Sequence, residues 1–273
     1  RLFAARKERE AAMSIKVIAT DLDGTLTNSK KEITPRTQKT LEKAMDLGVK
    51  VVLASGRPYY GVKNLAAQLQ LEKRGGYILC FNGAKLVNCH TKKVQFEQTI
   101  PVQEIEVLDY LARHYHATIL TYTDDTILTT DPDDEYVQKE WKITGMKLQK
   151  VETFSQVVTF PVNKCMMVGE GSHMAEVEQQ VQLAVGGRLS VYRSEPFFLE
   201  IMPAGINKAR SLEYLLDSLG CDKDELMAFG DGYNDLSMIG FAGLGVAVAN
   251  AQKVILDAAD YVSASNDEDG VAQ

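Results

Sequence analysis

The chain has 273 residues, enough for one large domain or two modest ones. With 45% hydrophobic and 25% charged residues it has an ordinary soluble composition; no apolar run reaches the roughly 18 residues of a membrane span or resembles a signal-peptide core. A net charge of −7 argues against a nucleic-acid partner, which favours a basic surface.

Residues 1–12, rich in Arg, Glu and Ala and followed by Met13, read as a tag or non-native leader and are set aside. Ile15 to Thr20 then reads as a strand. Thr34 caps a helix with Pro35 at its first position, closing at Gly48. Val49 to Ala54 is a continuous apolar run, as in a strand covered on both faces. Gly61 to Leu71 is expected to be helical and Tyr77 to Phe81 a third buried strand. Such alternation predicts a parallel sheet with right-handed crossovers.

After Gly83 the pattern changes. Short strands are expected at Ala84 to Asn88, Val94 to Gln98, Thr118 to Tyr122 and Ile127 to Thr130. Val102, Ile105, Leu108, Leu111 and Tyr115 form one helical stripe, and Met174 to Ala184 a second helix. Asp131-Pro132-Asp133-Asp134 reads as a solvated loop. A hairpin, Leu189 to Arg193 and Phe197 to Ile201, turns at Ser194-Glu195-Pro196. Residues 84–202 are therefore expected to form a separate α+β domain inserted into a sheet domain of residues 13–83 and 203–273. Alternation resumes with a helix from Asn207 to Leu219, a strand from Leu226 to Phe229, a helix from Asp235 to Phe241, a strand from Gly245 to Val248, a helix from Lys253 to Ala258, and a last strand at Tyr261-Val262. There are no repeats or low-complexity segments.

Cys80, Cys89, Cys165 and Cys221 are scattered without Cys-x-x-Cys pairing and read as reduced thiols, pointing to a cytoplasmic protein. His114 and His116, two apart, cannot share a helix face and read as surface or helix-terminal residues.

The chemistry starts at Asp21-Leu22-Asp23-Gly24-Thr25, directly after the first strand. Carboxylates at i and i+2 of an extended chain lie on one side, roughly 6–7 Å apart. That gap suits a tetrahedral centre beside a cation, with Gly24 turning the chain away and Thr25 offering a hydroxyl to hold the loop. A solvated turn is the rival reading; an EF-hand loop would need a preceding helix and a closing Glu. Ser55-Gly56-Arg57 and Gly230-Asp231-Gly232-Tyr233-Asn234-Asp235 also follow strands, and in open parallel sheets ligands bind beyond the strands' carboxyl ends. Each can be a plain turn or cap on its own. Lys208 is more telling, because a cation in the first turn of a helix opposes the macrodipole unless an anion lies there. Hard oxygen ligands suit Mg²⁺ and phosphate-bearing substrates.

These four segments resemble the motifs of the haloacid dehalogenase-like phosphatases. Phe81-Asn82-Gly83-Ala84, Ser194 to Ile201, and the tail from Asn250-Ala251 to Asp269-Gly270-Val271 are similar to the Cof-type subfamily and its YidA-like sugar-phosphate phosphatases. The resemblance implies an α/β fold, a Rossmann-like parallel-sheet core with an inserted α+β cap of the C2 type that closes over the site and selects the leaving group. It implies that Asp21 attacks phosphorus, that Asp23 is the acid/base, and that Ser55 and Lys208 are catalytic. Mg²⁺ would be held by Asp21, the Asp23 carbonyl and Asp231, with Asn234 and Asp235 supporting that shell and holding Lys208. Substrate contacts are implied at Gly24, Gly56, Arg57, Asn82, Gly83 and Glu195.

Two departures stand out: Ala209 follows Lys208 where relatives often have Gly, and the sequence stops at Gln273 where they usually continue into a helix. The expected protein is thus a Mg²⁺-dependent phosphatase of small phosphorylated metabolites, a monomer or weak homodimer. A sugar-phosphate phosphomutase or phosphotransferase and a non-catalytic phosphometabolite-binding protein are the alternatives.

Overall fold

The structure is a computed structural model describing residues 14–273, so the expected leader lies outside the described residues. The chain forms two compact units. One comprises the described residues up to Gly56 with Asn64–Gln95 and Asn207–Gln273; the other comprises Arg57–Lys63 and Phe96–Ile206.

The chain opens with β1 (Val17–Thr20), α1 (Pro35–Asp46), β2 (Lys50–Ala54), α2 (Tyr59–Gln68), the short α3 (Leu71–Arg74), β3 (Tyr77–Cys80), β4 (Lys85–Asn88) and β5 (Val94–Glu97). Thr34 caps α1 as expected, its hydroxyl accepting from the Thr37 N–H, with Pro35 at the first position. The helix expected over Gly61 to Leu71 starts earlier and breaks at Gln70, which takes a left-handed φ of 55° before α3. Strands β4 and β5 were expected in the inserted domain. Instead β4 pairs antiparallel with β3 and β5 follows it in the same sheet, so the inserted segment starts later than Gly83. A short chain reversal at Phe81–Gly83 makes this antiparallel return possible.

The second unit follows with α4 (Val102–His114), β6 (Thr118–Tyr122), β7 (Thr126–Thr129), α5 (Glu135–Thr144), β8 (Lys147–Lys150), α6 (Phe154–Val157), β9 (Cys165–Val168), α7 (Gly171–Val185), β10 (Leu189–Glu195) and β11 (Phe198–Pro203). Its six strands run in the order β10-β11-β9-β6-β7-β8, antiparallel except for the β7–β8 pair. One sheet face meets α4, α6 and α7 in an apolar core built on Ile105, Leu108, Phe154, Val177, Val181 and Leu199. Alternate strand residues face the other way. They include Glu200, in a buried ion pair at 3.4 Å with Lys164 just before β9, and Tyr122, whose hydroxyl donates to Glu140 at 2.7 Å.

The first unit resumes with α8 (Lys208–Leu219), β12 (Leu226–Gly230), α9 (Leu236–Phe241), β13 (Leu244–Val248), α10 (Lys253–Ala258) and β14 (Tyr261–Ser263). Its eight strands lie in the order β14-β13-β12-β1-β2-β3-β4-β5, and those from β14 to β3 are parallel. This is the expected α/β class, a Rossmann-like core with a mixed-sheet inserted unit. Its central strand β1 is flanked by β12 and β2, which belong to opposite ends of the chain. That is the topological switch, and the crevice beyond the strand ends opens there.

Candidate active site

Every strand around the switch ends in a residue of the expected set. β1 runs into Asp21, β2 into Ser55, β3 into Phe81-Asn82 and β12 into Asp231. Parallel pairing in register, such as Thr20 beside both Leu53 and Phe229, brings these ends level. Within the first unit the fold therefore gathers Asp21, Asp23, Gly24, Ser55, Gly56, Asn82, Gly83, Lys208, Asp231, Asn234 and Asp235 at one edge. Arg57 and Glu195 both belong to the second unit.

Lys208 is the centre of the arrangement. It is fully buried, and its Nζ lies 2.6 Å from Asp21 Oδ1, 2.6 Å from Asp235 Oδ1 and 2.9 Å from the Ala54 carbonyl. All three ammonium protons thus have acceptors. The cation at the first position of α8 is explained by the two carboxylates it bridges, while Asn207 caps the helix by accepting from the Arg210 N–H. Asp235 has both oxygens engaged: Oδ1 accepts from Lys208, and Oδ2 accepts from the Asp231 and Gly232 N–H groups at 2.9 and 3.0 Å. It folds the loop around itself and fixes the lysine. Asn234 donates to Asn82 Oδ1 at 3.1 Å.

Asp231 is oriented by Thr25, whose hydroxyl donates to Oδ1 at 2.6 Å. Gly24 has a φ of 85°, and a Cβ there would lie 2.5 Å from Asp231 Oδ2. The sharp turn after Asp23 is therefore needed for the conformation and for the space. Asn82 has a φ of 53°, and a Cβ at Gly56 would touch its Oδ1 at 3.0 Å. Gly83 packs against the start of α8, where a Cβ would meet the Asn207 carbonyl at 2.4 Å. Asn82 and Gly83 thus brace β2 and α8 against each other. Ser55 is buried, its N–H bound to the Leu79 carbonyl. The Asp23 side chain is about one-third exposed and accepts from Lys31 Nζ at 2.9 Å, a partner the sequence reading did not anticipate.

Acidic oxygens of Asp21, Asp231 and Asp235 lie within 4.8 Å of one another. Burial, and next the Asp235 carboxylate, push Asp21 up to about 8 against the pull of Lys208. Burial also pushes Asp231 up, opposed by the Thr25 hydroxyl. Burial alone would lower Lys208, but Asp21 and then Asp235 hold it above its ordinary value. Three carboxylates share a single lysine, so the cluster has negative charge to spare. A small hard cation relieves it, and an all-oxygen donor set suits Mg²⁺. Asp21 and Asp231 have oxygens placed for that role; Asp235 is already committed to Lys208 and the loop.

Comparison with known proteins agrees with this geometry. A family model described as haloacid dehalogenase-like hydrolase matches residues 18–273. The chain is similar to the structure of a haloacid dehalogenase-like hydrolase from Bacteroides thetaiotaomicron, with 46% identity and a TM-score of 0.92, covering 95% of this chain and 97% of that one. It is 33% identical over 260 residues to the protein YxeH of Bacillus subtilis (strain 168), covering 94% of this chain and 96% of the relative. It is 28% identical over 261 residues to the 5-amino-6-(5-phospho-D-ribitylamino)uracil phosphatase YcsE of the same organism, covering 96% and 94%.

Proposed function

The chain belongs to the haloacid dehalogenase-like hydrolase family, and from that premise we propose that it is a Mg²⁺-dependent phosphatase of small phosphate monoesters, sugar phosphates in particular. The observation that carries this reading is the buried Lys208 bridge between Asp21 and Asp235, with Asp231 beside it. Phosphate monoesters are among the slowest substrates to react unaided, and charge neutralisation with positioning is what lowers their barrier.

In the proposed reaction an Asp21 oxygen attacks phosphorus while the ester P–O bond breaks, giving an aspartyl-phosphate and an alcohol. Asp23 gives its proton to the leaving oxygen, then takes one from the water that attacks the aspartyl-phosphate, releasing inorganic phosphate and Asp21. Lys208 orients Asp21 and offsets the phosphoryl charge from behind, while the Ser55 hydroxyl is assigned to a phosphoryl oxygen. Asp21, Asp231 and the Asp23 carbonyl would hold the Mg²⁺, which would supply further neutralisation of phosphoryl charge.

The sugar-phosphate assignment, and with it the Cof-type, YidA-like placement, is supported by the motifs of the chain. The relative YcsE, by its name, removes phosphate from a phosphoribityl group, a polyol ester of the same chemical class. Four free cysteines, three of them buried, support a cytoplasmic location, and no helix among the described residues is long and apolar enough to cross a membrane.

Phosphate release measured over sugar phosphates, nucleotides and phosphorylated cofactors with Mg²⁺ tests the reading, a sugar phosphate being expected as the best substrate. Asp21→Asn should remain folded, since it keeps the side-chain volume, and lose turnover. Activity within about tenfold of the parent, equivalent to about 1.4 kcal/mol of barrier, would remove Asp21 as nucleophile. An isomerised sugar phosphate in place of free phosphate would favour a mutase.

A further inference from the structure

The tail of the chain reaches back to the loop that carries the acidic pair. Asn250, just after β13, donates from Nδ2 to the Gly24 carbonyl at 2.8 Å and accepts at Oδ1 from the Asn266 N–H at 2.9 Å. Asn266 in turn donates from Nδ2 to the Thr27 carbonyl at 3.0 Å. Asp267 accepts from the Ser29 N–H and hydroxyl at 2.7 and 2.6 Å. Asp269 accepts from the Thr34 hydroxyl at 2.5 Å, at the start of α1.

The segment making these bonds is itself closed into a tight turn. Ser265 donates to Glu268, Asp269 adopts a φ of 60°, and the Gly270 N–H returns to the Ser265 carbonyl at 2.9 Å. A Cβ at Gly270 would lie 2.0 Å from the Ala264 carbonyl, so the turn admits only glycine there. Three contacts therefore run from this turn to Thr27, Ser29 and Thr34, and Asn250, tied to the turn through Asn266, adds a fourth to Gly24. The two carbonyls held by the asparagines bracket Thr25, the residue whose hydroxyl orients Asp231.

We propose that Asn250 and Asn266 are positioning residues: a two-asparagine clamp that fixes the Gly24 and Thr27 carbonyls, holds Thr25, and so sets the direction of the Asp231 carboxylate. The inference rests on the reading of Asp231 as a cation-binding group. Neither asparagine touches substrate or the reacting atoms. Their effect is transmitted through one peptide and one hydroxyl, as in sites where an outer hydrogen bond aims a ligand.

The test uses the full chain with Asn250→Ala and Asn266→Ala as separate variants. Backbone amides of residues 24–27 are expected to exchange with deuterium about tenfold faster than in the parent, with β2 and β12 unchanged. Calorimetric titration with Mg²⁺ alone is expected to show affinity about 10-fold weaker, and kcat on a phosphate ester to fall with KM within about twofold of the parent. Unchanged exchange overturns the clamp. Faster exchange with Mg²⁺ affinity and kcat both retained also overturns it, leaving the tail a stabilising element only. Should Asn250→Ala fail to fold, Asn266→Ala, which loses the donor to the Thr27 carbonyl, is read in the same way. A parent that binds Mg²⁺ yet releases no phosphate from any ester refutes the proposed function, while the exchange and titration readings still decide the clamp. A parent without measurable Mg²⁺ affinity overturns the clamp as stated.

Discussion

Lys208 is a buried cation whose solvation is supplied wholly by the protein: two carboxylates and one carbonyl replace water. Removing it should therefore cost more than its contacts suggest, because Asp21 and Asp235 would be left facing each other in a dry site. Lys208→Met is expected to destabilise the chain by about 3–5 kcal/mol at neutral pH, read by urea denaturation, and to abolish turnover. A variant as stable as the parent would show that the bridge is dispensable. At this scale the sequence was informative where a residue contradicted its surroundings. A lysine at a helix start and two aspartates at a strand end both violate local preference, and both meet at the site. Asn250 was not legible in that way, since one asparagine after a strand is an ordinary turn residue and its partner Gly24 lies 226 positions away.

Elements read well where burial imposed one chemistry on both faces. The strands β1, β2, β3 and β12 are apolar but for Thr20 and Lys50 at strand ends, as in a parallel sheet covered on both sides. The second unit was harder, and α5 shows why. Its buried positions are Val137, Glu140 and Thr144, so the face that packs is partly polar and carries no hydrophobic period. β8, Lys147–Lys150, is mostly exposed and polar, and β9 is an apolar run of only four residues. The acidic stretch expected to be a solvated loop in fact ends in the cap of α5: Asp134 Oδ1 accepts from the Tyr136 and Val137 N–H groups at 2.8 and 3.1 Å. Asp134→Ala should accordingly lower stability by about 0.5–2 kcal/mol. Thermal or urea unfolding checks this, and a change within experimental error would return Asp134 to the status of a loop charge.

For the molecule as a whole, the excess of carboxylates ties stability to pH and to metal. Asp21 is raised in the folded chain from an ordinary carboxylate value of 3.8 to about 8. A group raised on folding favours the native state at low pH, and that contribution is lost as pH rises through the folded value. The metal-free protein should therefore lose stability between about pH 4 and pH 8 through this group. Mg²⁺ binds the ionised carboxylate, so its upward shift of Tm should be larger at about pH 8 than at about pH 6, and a chelator should reverse it. Equal shifts at the two pH values would argue that Asp21 is already ionised throughout.

The position of β12 beside β1 has one more consequence, which concerns time. Val17 is paired with Leu226, so the strand that leads into Asp21 waits for most of the polypeptide before its second neighbour exists. A nascent chain makes β1, β2 and β3 early, then the whole second unit, and only afterwards Lys208, Asp231 and Asp235. Until then Asp21 has no lysine partner and the sheet has an open edge at its centre, where non-local pairing is slow and exposed edges are hazardous. On the proposed mechanism, the same connectivity keeps an unfinished chain chemically silent: Asp21 is made first and armed last.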